Sequence, residues 1–335
     1  MKRVVVFGAT GTVGAYLCKY LAERHYKIVA VGSRNSDNGF FAQNGMTYHS
    51  VDIRDERTFE PLPKKNVYAV VNLAGLLPAR MSGYSPQKYI DINISGALNI
   101  IKYSVDCKAK KFIYSQSISD VDYLCGSKTP IDSDAPSHFP INNDHSVYSI
   151  TKNAAASLLQ HYSARYGFKF YILRFPNIYL YHPNPFYFVN GEKKWQSYRL
   201  IIHKAMHGEP IEIWGDPTKV KDIVYVKDCC QIIEKCISVE NAESGNYNVG
   251  TGVGVSVEEQ IKGIVEVFSP KNSPSIITYA PDKPDAQEYI FDISKVRKNL
   301  GYTPQYTYVE YLQDFKQEME RQTFSILWGT DLVEK

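Results

Sequence analysis

Apolar residues in the first half of the chain come in short runs rich in β-branched side chains, separated by longer amphipathic stretches. Val4, Val5, Val6 and Phe7 form the first run, wholly apolar, as a strand covered on both faces requires. Comparable runs lie at 27–31, 47–51, 69–73, 111–115 and 169–175. Helical candidates fall between them, at 15–23 with Leu17 and Leu21 on one face, at 86–105 and at 148–166. Strand and helix signals in alternation predict an α/β fold, a doubly wound parallel sheet with helices on both faces.

After Phe175 the texture changes. Tyr, Phe, Pro and Asn crowd 178–190, a loop-like stretch too aromatic for an inert linker. A helix is expected over about 196–207 and short strands at 211–214 and 222–226, and the patterned stretches 245–249, 257–268, 276–279 and 308–320 read as mixed α/β without a repeat. A chain of 335 residues outgrows one comfortable core. Two interleaved lobes are therefore expected: 1–177, and a smaller substrate lobe over 178–335 whose segment 211–250 partly returns to the first. The second lobe should close over the carboxyl edge of the sheet, where such folds bind ligands.

Composition narrows the function classes. Hydrophobic residues make up 44% and charged residues 22%, as in ordinary globular proteins, and a net charge of +3 spread along the chain argues against nucleic acid as a partner. Met1, Lys2 and Arg3 before an apolar run imitate a leader peptide, yet glycines cut the run within a few residues, so it reads as a strand. No run approaches the ~18 apolar residues of a membrane span. The six cysteines, Cys18, Cys107, Cys125, Cys229, Cys230 and Cys236, contain no CxxC, which suits reduced thiols and a cytoplasmic location.

The first strand runs into Gly8, Gly11 and Gly14, and a helix follows. In that context the spacing predicts a Rossmann-type dinucleotide site: Gly8 for the tight turn, Gly11 for approach of backbone to a pyrophosphate, Gly14 for helix against strand. The helix N-terminus adds free N–H groups and partial positive charge, and Thr10, Thr12 and Val13 line the same turn. After the second strand stand Gly32, Ser33 and Arg34, with no carboxylate. A hydroxyl and a guanidinium there would bind a 2′-phosphate, which favours NADP with NAD possible; a solvated loop arginine is the plain alternative. Asp52 and Ile53 suit an adenine ring, or Asp52 simply caps a helix. Asn72, Ala74 and Gly75 end the fourth run with small residues where backbone could approach the cofactor, and Leu73 among them counts as a cofactor contact.

The chemical candidates are Ser117, Tyr148 and Lys152. Tyrosine and lysine four apart share a helix face, so an ammonium could lower a phenol pKa from about 10 towards neutrality. Tyr84–Lys88 and Tyr279–Lys283 repeat the spacing, but Pro86 and Pro281 interrupt them. Tyr148–Lys152 opens an uninterrupted helix, and Ser115-Gln116-Ser117 ends the preceding strand.

VVVFGATGTVG, VDIRD, VNLAG, DINISGALNI, FIYSQS, YSITK, LRFPNIY, GDPTKVKDIVYVKD, YNVGTG and FDISKVRKNLGY occur in order over nearly the whole chain. In these motifs it resembles the extended short-chain dehydrogenases/reductases, in the branch of NAD-dependent sugar epimerases and dehydratases. The resemblance implies that Tyr148 transfers the proton, Lys152 holds the nicotinamide ribose and Ser117 bonds the reacting sugar oxygen. It implies further that Asn93 buttresses the site, that Ser115 and Phe175 lie beside the cofactor, and that Asn177 reaches both cofactor and nucleotide-sugar. Lys221 stands where related chains carry a diphosphate-binding arginine, and lacks its bidentate fork. A homodimer through the helices near 91–105 and 148–166 is implied as well.

The departures are informative. Ile118 and Ser119 replace the acidic pair that dehydratases place after the active-site hydroxyl, and Asp120-Val121-Asp122 replaces the usual VYG. An NAD(P)-dependent nucleotide-sugar 4-epimerase is expected. The alternatives are an NADPH-dependent keto-sugar reductase and, from another class, a non-catalytic dinucleotide sensor or scaffold. HKAMH carries His203 and His207 without the glutamate of a zinc-hydrolase motif, so no metal is expected. Cys229-Cys230 reads as buried filler on an apolar helix face, and Glu192-Lys193-Lys194 as a solvated turn.

Overall fold

The computed structural model describes residues 1–80, 83–189 and 191–330; Asn190 of the aromatic stretch and 331–335 of the expected second lobe lie outside the described residues. Six strands follow the apolar runs: β1 (Arg3–Phe7), β2 (Lys27–Gly32), β3 (Thr47–Ser50), β4 (Ala69–Asn72), β5 (Lys111–Ser117) and β6 (Lys169–Phe175). They form a parallel sheet in the order β3-β2-β1-β4-β5-β6, extended beyond β6 by the strand Gly245–Asn248. The winding reverses between β1 and β4, so a crevice opens above their carboxyl ends.

Central strands are apolar throughout because both faces are covered. Val4 and Val6 face one core with Leu17, Ala30 and Ile233; Val5 and Phe7 face the other with Ile100, Phe112 and Leu159. The helix Val226–Ser238 lies in the first core, with Cys229 and Cys230 fully buried as filler. Lys111 of β5 ties down the end of that helix by donating to the carbonyls of Cys236, Ile237 and Val239 at 2.9, 3.1 and 2.7 Å.

Three local departures have physical causes. The helix at 148–166 begins earlier, at Asp144, because Asn143 caps it: its side chain accepts from the Ser146 N–H at 3.1 Å while its own N–H donates to Ser146 Oγ at 3.1 Å. The stretch 86–105 divides into Pro86–Tyr89, a π-helical Ile90–Gly96 and Ala97–Asp106. Ile53 packs so tightly on Gly96 that a Cβ there would lie 2.7 Å from its side chain. The expected turn at 192–194 is instead a strand, Glu192–Trp195, paired with Phe186–Val189 inside the aromatic stretch; Phe186 and Trp195 meet across it at 5.0 Å.

The expected strand at 222–226 is two strands. Val220–Asp222 pairs with Gly254–Ser256, and Val224–Tyr225 pairs with Ile178–Tyr179. The buried Asp222 carboxylate accepts N–H groups of Thr251 and Gly252 at 2.8 and 3.0 Å, and so fixes the segments that run beyond the sheet edge.

Candidate active site

β1 ends at Phe7, and Gly8 turns the chain in a left-handed conformation, φ 83°. A Cβ on Gly8 would lie 2.8 Å from the backbone of Leu73 and Ala74, and one on Gly14 only 2.1 Å from the Gly8 carbonyl oxygen. Glycine is thus required twice, for the turn against β4 and for helix against strand. The helix Thr12–Ala22 begins at Gly11, which offers no side chain to the first-turn N–H groups, and no acidic residue stands there. That leaves an electropositive helix end at the switch point.

Asn72 ends β4, opposite Phe7. Its Oδ1 accepts from the Ala74 N–H at 3.0 Å, whereas its wholly buried Nδ2 has no partner. The glycine cradle and the open helix end together fit a dinucleotide laid across the crevice.

Ser117 ends β5, and the helix Asp144–Tyr166 delivers Tyr148 and Lys152 beside it. Tyr148 is 8% and Lys152 4% exposed. Burial pushes the Tyr148 phenol up to about 12; a hydrogen bond with Ser117 opposes the rise, and Tyr89 and Asp120 add to it. Burial also pushes the Lys152 amine down to about 7. Burial therefore outweighs the expected lowering of the phenol, to which Lys152 does not contribute. Lys152 Nζ instead sits 3.5 Å from Ser115 Oγ and 4.1 Å from the centre of the Tyr114 ring.

Asn93 holds the wall behind them. Its Oδ1 accepts from the Leu76 N–H at 2.7 Å, and its Nδ2 donates to the Leu76 carbonyl at 3.1 Å and to Thr151 Oγ1 at 3.2 Å. A Cβ on Gly75 would come within 3.3 Å of Asn93 Oδ1 and 4.0 Å of Lys152 Nζ, so Gly75 borders the amine directly. Neither competing Tyr–Lys pair resembles this setting: Tyr84 and Tyr279 are both 53% exposed, and Tyr279 donates to Glu258 at 2.6 Å.

Other candidate residues lie further out. Asp52 is held by Arg54 in a two-point ion pair, 2.9 and 2.6 Å, and accepts the Arg54 N–H at 3.0 Å; the short helix that follows is capped by Asp55 instead. Ser33 and Arg34 are exposed after β2, and Arg34 donates to the Leu327 carbonyl at 2.5 Å. Phe175 is half-buried and Asn177 exposed at the carboxyl edge. Lys221 and Asn177 flank one ring, that of Tyr289: Lys221 Nζ is 5.8 Å from its centre, and its phenol approaches the Asn177 backbone without a hydrogen bond of normal geometry. Burial lowers the Lys221 pKa.

Asp120 carries more than its sequence reading gave it. It is buried beneath Ser117 and pairs with Arg174 of β6, Nε to Oδ1 3.0 Å and Nη2 to Oδ2 3.2 Å. The signal was present, since an acid in the loop after β5 faces an arginine in LRFPNIY. Away from the crevice, His203, His207 and Glu209 are the one group among the described residues whose side chains could together hold a metal; its histidine rings are 4.4 Å apart on a surface helix.

The sheet and the glycine cradle are those of a dinucleotide-binding α/β enzyme, with the half-buried Ser117 beside the buried Tyr148 and Lys152. The sequence profile of the NAD dependent epimerase/dehydratase family matches residues 4–250, and the chain belongs to that family. Among its relatives is a putative UDP-glucose 4-epimerase of Methanocaldococcus jannaschii, 26% identical over 306 residues, 90% of this chain and 93% of the relative. The fold is that of the UDP-glucose 4-epimerase of Thermotoga maritima, solved with UDP-glucose: TM-score 0.73, 23% identity, 96% of this chain and 99% of that one. It is equally that of the Thermus thermophilus UDP-glucose 4-epimerase, solved with NAD: TM-score 0.72, 21% identity, 94% and 98% covered. Among the described residues no helix is long and apolar enough to cross a membrane.

Proposed function

We propose that the chain is a nucleotide-sugar 4-epimerase using a nicotinamide dinucleotide. The observation that carries the reading is the convergence of Ser117, Tyr148 and Lys152 beside the glycine cradle, in a chain whose Ile118 and Ser119 supply no acid for water elimination. Gly8, Thr10, Gly11, Thr12, Val13 and Gly14 would hold the pyrophosphate, Ile53 and Asp52 the adenine side, and Leu73 to Gly75 with Ser115 and Phe175 the nicotinamide side. Bound there, a nicotinamide dinucleotide would supply the acceptor for hydride from the sugar carbon and its donor back to the opposite face of the resulting ketone. Tyr148 takes the alcohol proton and gives it back, with Ser117 bonding the same oxygen and the Lys152 ammonium stabilising the phenolate. Asn177 and Lys221 would reach the nucleotide-sugar, whose diphosphate Lys221 meets as a point charge.

NAD is supported by the engagement of Arg34 with Leu327 and by relatives solved with NAD. NADP is the second reading, supported by the missing carboxylate after β2. The exposed Ile90 and Ile150, on the two helices that would form a four-helix interface, support a homodimer, checked by light scattering.

The test supplies NAD or NADP with UDP-, GDP-, dTDP- and CDP-sugars and their 4-keto forms. Interconversion of C4 epimers with no net change in nicotinamide absorbance is the expected result. Stoichiometric loss of NADPH on a 4-keto sugar would replace the epimerase by a reductase; bound dinucleotide with no turnover would make the protein a sensor.

A further inference from the structure

The short helix Ser325–Trp328, far from the glycine loop in sequence, lies against it in space. The Trp328 indole N–H donates to the Thr10 carbonyl at 3.0 Å. Arg34 donates to the Leu327 carbonyl at 2.5 Å, and Asn38, four residues further along the same loop, donates to the Ile326 carbonyl at 3.0 Å. These carbonyls belong to the last turn of a helix, where no partner further along the helix exists and partial negative charge collects. A guanidinium is well suited to cap them.

The turn is firmly seated. Phe324 and Leu327 are 3% and 1% exposed. Phe324 meets Tyr16 at 4.5 Å, Phe40 at 5.6 Å and Trp328 at 4.6 Å, and Trp328 meets His182 at 4.5 Å. Tyr16 belongs to the helix that opens at Gly11, and its hydroxyl donates to the Tyr181 carbonyl at 3.1 Å. One aromatic cluster thus joins the C-terminal turn, the cofactor helix and the segment just past Asn177.

We propose that the turn 324–328 positions the adenosine end of the dinucleotide site and decides between NAD and NADP: Trp328 holds the glycine loop, and the Leu327 carbonyl withholds Arg34 from a 2′-phosphate. The inference rests on dinucleotide binding by this crevice, as proposed above. An arginine at this place in the fold ordinarily meets that phosphate. Here the same group closes a helix end, and the two roles compete for one guanidinium.

The test is equilibrium titration of NAD and NADP by isothermal titration calorimetry, with no sugar present. In the full chain, Arg34→Ala should leave the ratio of the two dissociation constants unchanged. Trp328→Phe, which keeps the ring and removes the N–H, should weaken both dinucleotides together by about threefold to tenfold with little change in Tm. Ending the chain after Phe324 frees Arg34, and the ratio should move towards NADP by about tenfold or more; Arg34→Ala in the shortened chain should cancel that gain. A selective loss of NADP on Arg34→Ala in the full chain overturns the proposal, and that arm decides it should the shortened chain fail to fold. An unchanged ratio in a folded shortened chain overturns it too. Failure of the unaltered protein to bind either dinucleotide would instead remove the dinucleotide assignment itself.

Discussion

Tyr148 and Lys152 stand one helical turn apart, and burial moves their protons in opposite senses, the phenol up to about 12 and the amine down to about 7. Catalysis asks for the reverse, a phenolate beside an ammonium. Burial alone thus favours a neutral pair; a cation close to both would lower the phenol and the amine together, so hydrogen bonds to the ammonium are what must hold Lys152 charged.

The lysine has a consequence for stability. Its folded pKa is depressed below the ordinary 10.5, so the folded state binds fewer protons than the unfolded chain between about 7 and 10.5. The cost of burying the ammonium is present in full below pH 7, declines as pH rises through that window, and vanishes above it. Lys152→Met should therefore abolish turnover yet raise Tm at about pH 6, with the gap over the unaltered protein closing towards about pH 10. A gap that widened with pH would show the amine to be stabilised, not penalised, by its surroundings.

Tyr148→Phe removes one oxygen and keeps the ring against Tyr89, 6.4 Å away. Turnover should fall by about 10²- to 10⁴-fold while dinucleotide affinity stays within about twofold. Single-turnover kinetics with titration of the cofactor would separate the two. An unchanged rate would take Tyr148 out of the mechanism.

The sheet and the glycine turn were legible because their signals are local: apolar runs bounded by breakers, and glycines where a Cβ would meet backbone at 2.1 and 2.8 Å. That Ser117, Tyr148 and Lys152 lie together follows from spacing and resemblance, and the prolines already separate the two competing Tyr–Lys pairs from them. Three features escaped for one physical reason, that each depends on partners remote in sequence. Gly96 in the π turn packs against Ile53, the pairing of Asp120 answers Arg174, and the seat of Trp328 is Thr10. The direction of the Tyr148 shift was missed likewise, since depth of burial cannot be read from a four-residue interval.

Asn93 satisfies Leu76 twice and Thr151 once, one residue before Lys152. Asn93→Ala takes its partner from the half-buried Leu76 N–H and carbonyl and one bond from Thr151 Oγ1, which keeps its own to the Tyr148 carbonyl at 3.0 Å, so unfolding free energy should drop by about 1–3 kcal/mol. Turnover should fall further than the stability loss alone explains, because Leu76, which Asn93 holds, adjoins Gly75, which borders the Lys152 amine. Asn93→Asp keeps an acceptor for the Leu76 N–H and loses both donors, and should lie between. Denaturant midpoints and kcat measured on the same preparations test the order.

The pair of Asp120 and Arg174 should dominate local stability in a way no surface pair does. Both side chains are under 5% exposed, and Arg174 also donates to the Ser133 carbonyl at 3.0 Å and to Asn248 Oδ1 at 3.1 Å. It thereby joins β6, the strand Gly245–Asn248 and the loop that follows Ser117. Replacing one partner of a buried pair strands the other charge away from water, at a cost of about 3–5 kcal/mol, whereas exposed pairs contribute little. Asp120→Ala should accordingly lower the unfolding free energy by that amount, and Asp120→Asn by less, since an amide oxygen still accepts from the guanidinium. Glu56→Gln, which breaks the exposed pair with Lys102 at 2.6 Å, should leave the denaturant midpoint where it was. The loop that Asp120 anchors begins at Ser117, so the folded fraction of Asp120→Ala should also bind nucleotide-sugar normally and turn it over slowly. Equal midpoints for Asp120→Ala and Glu56→Gln would mean that backbone carbonyls alone hold the arginine.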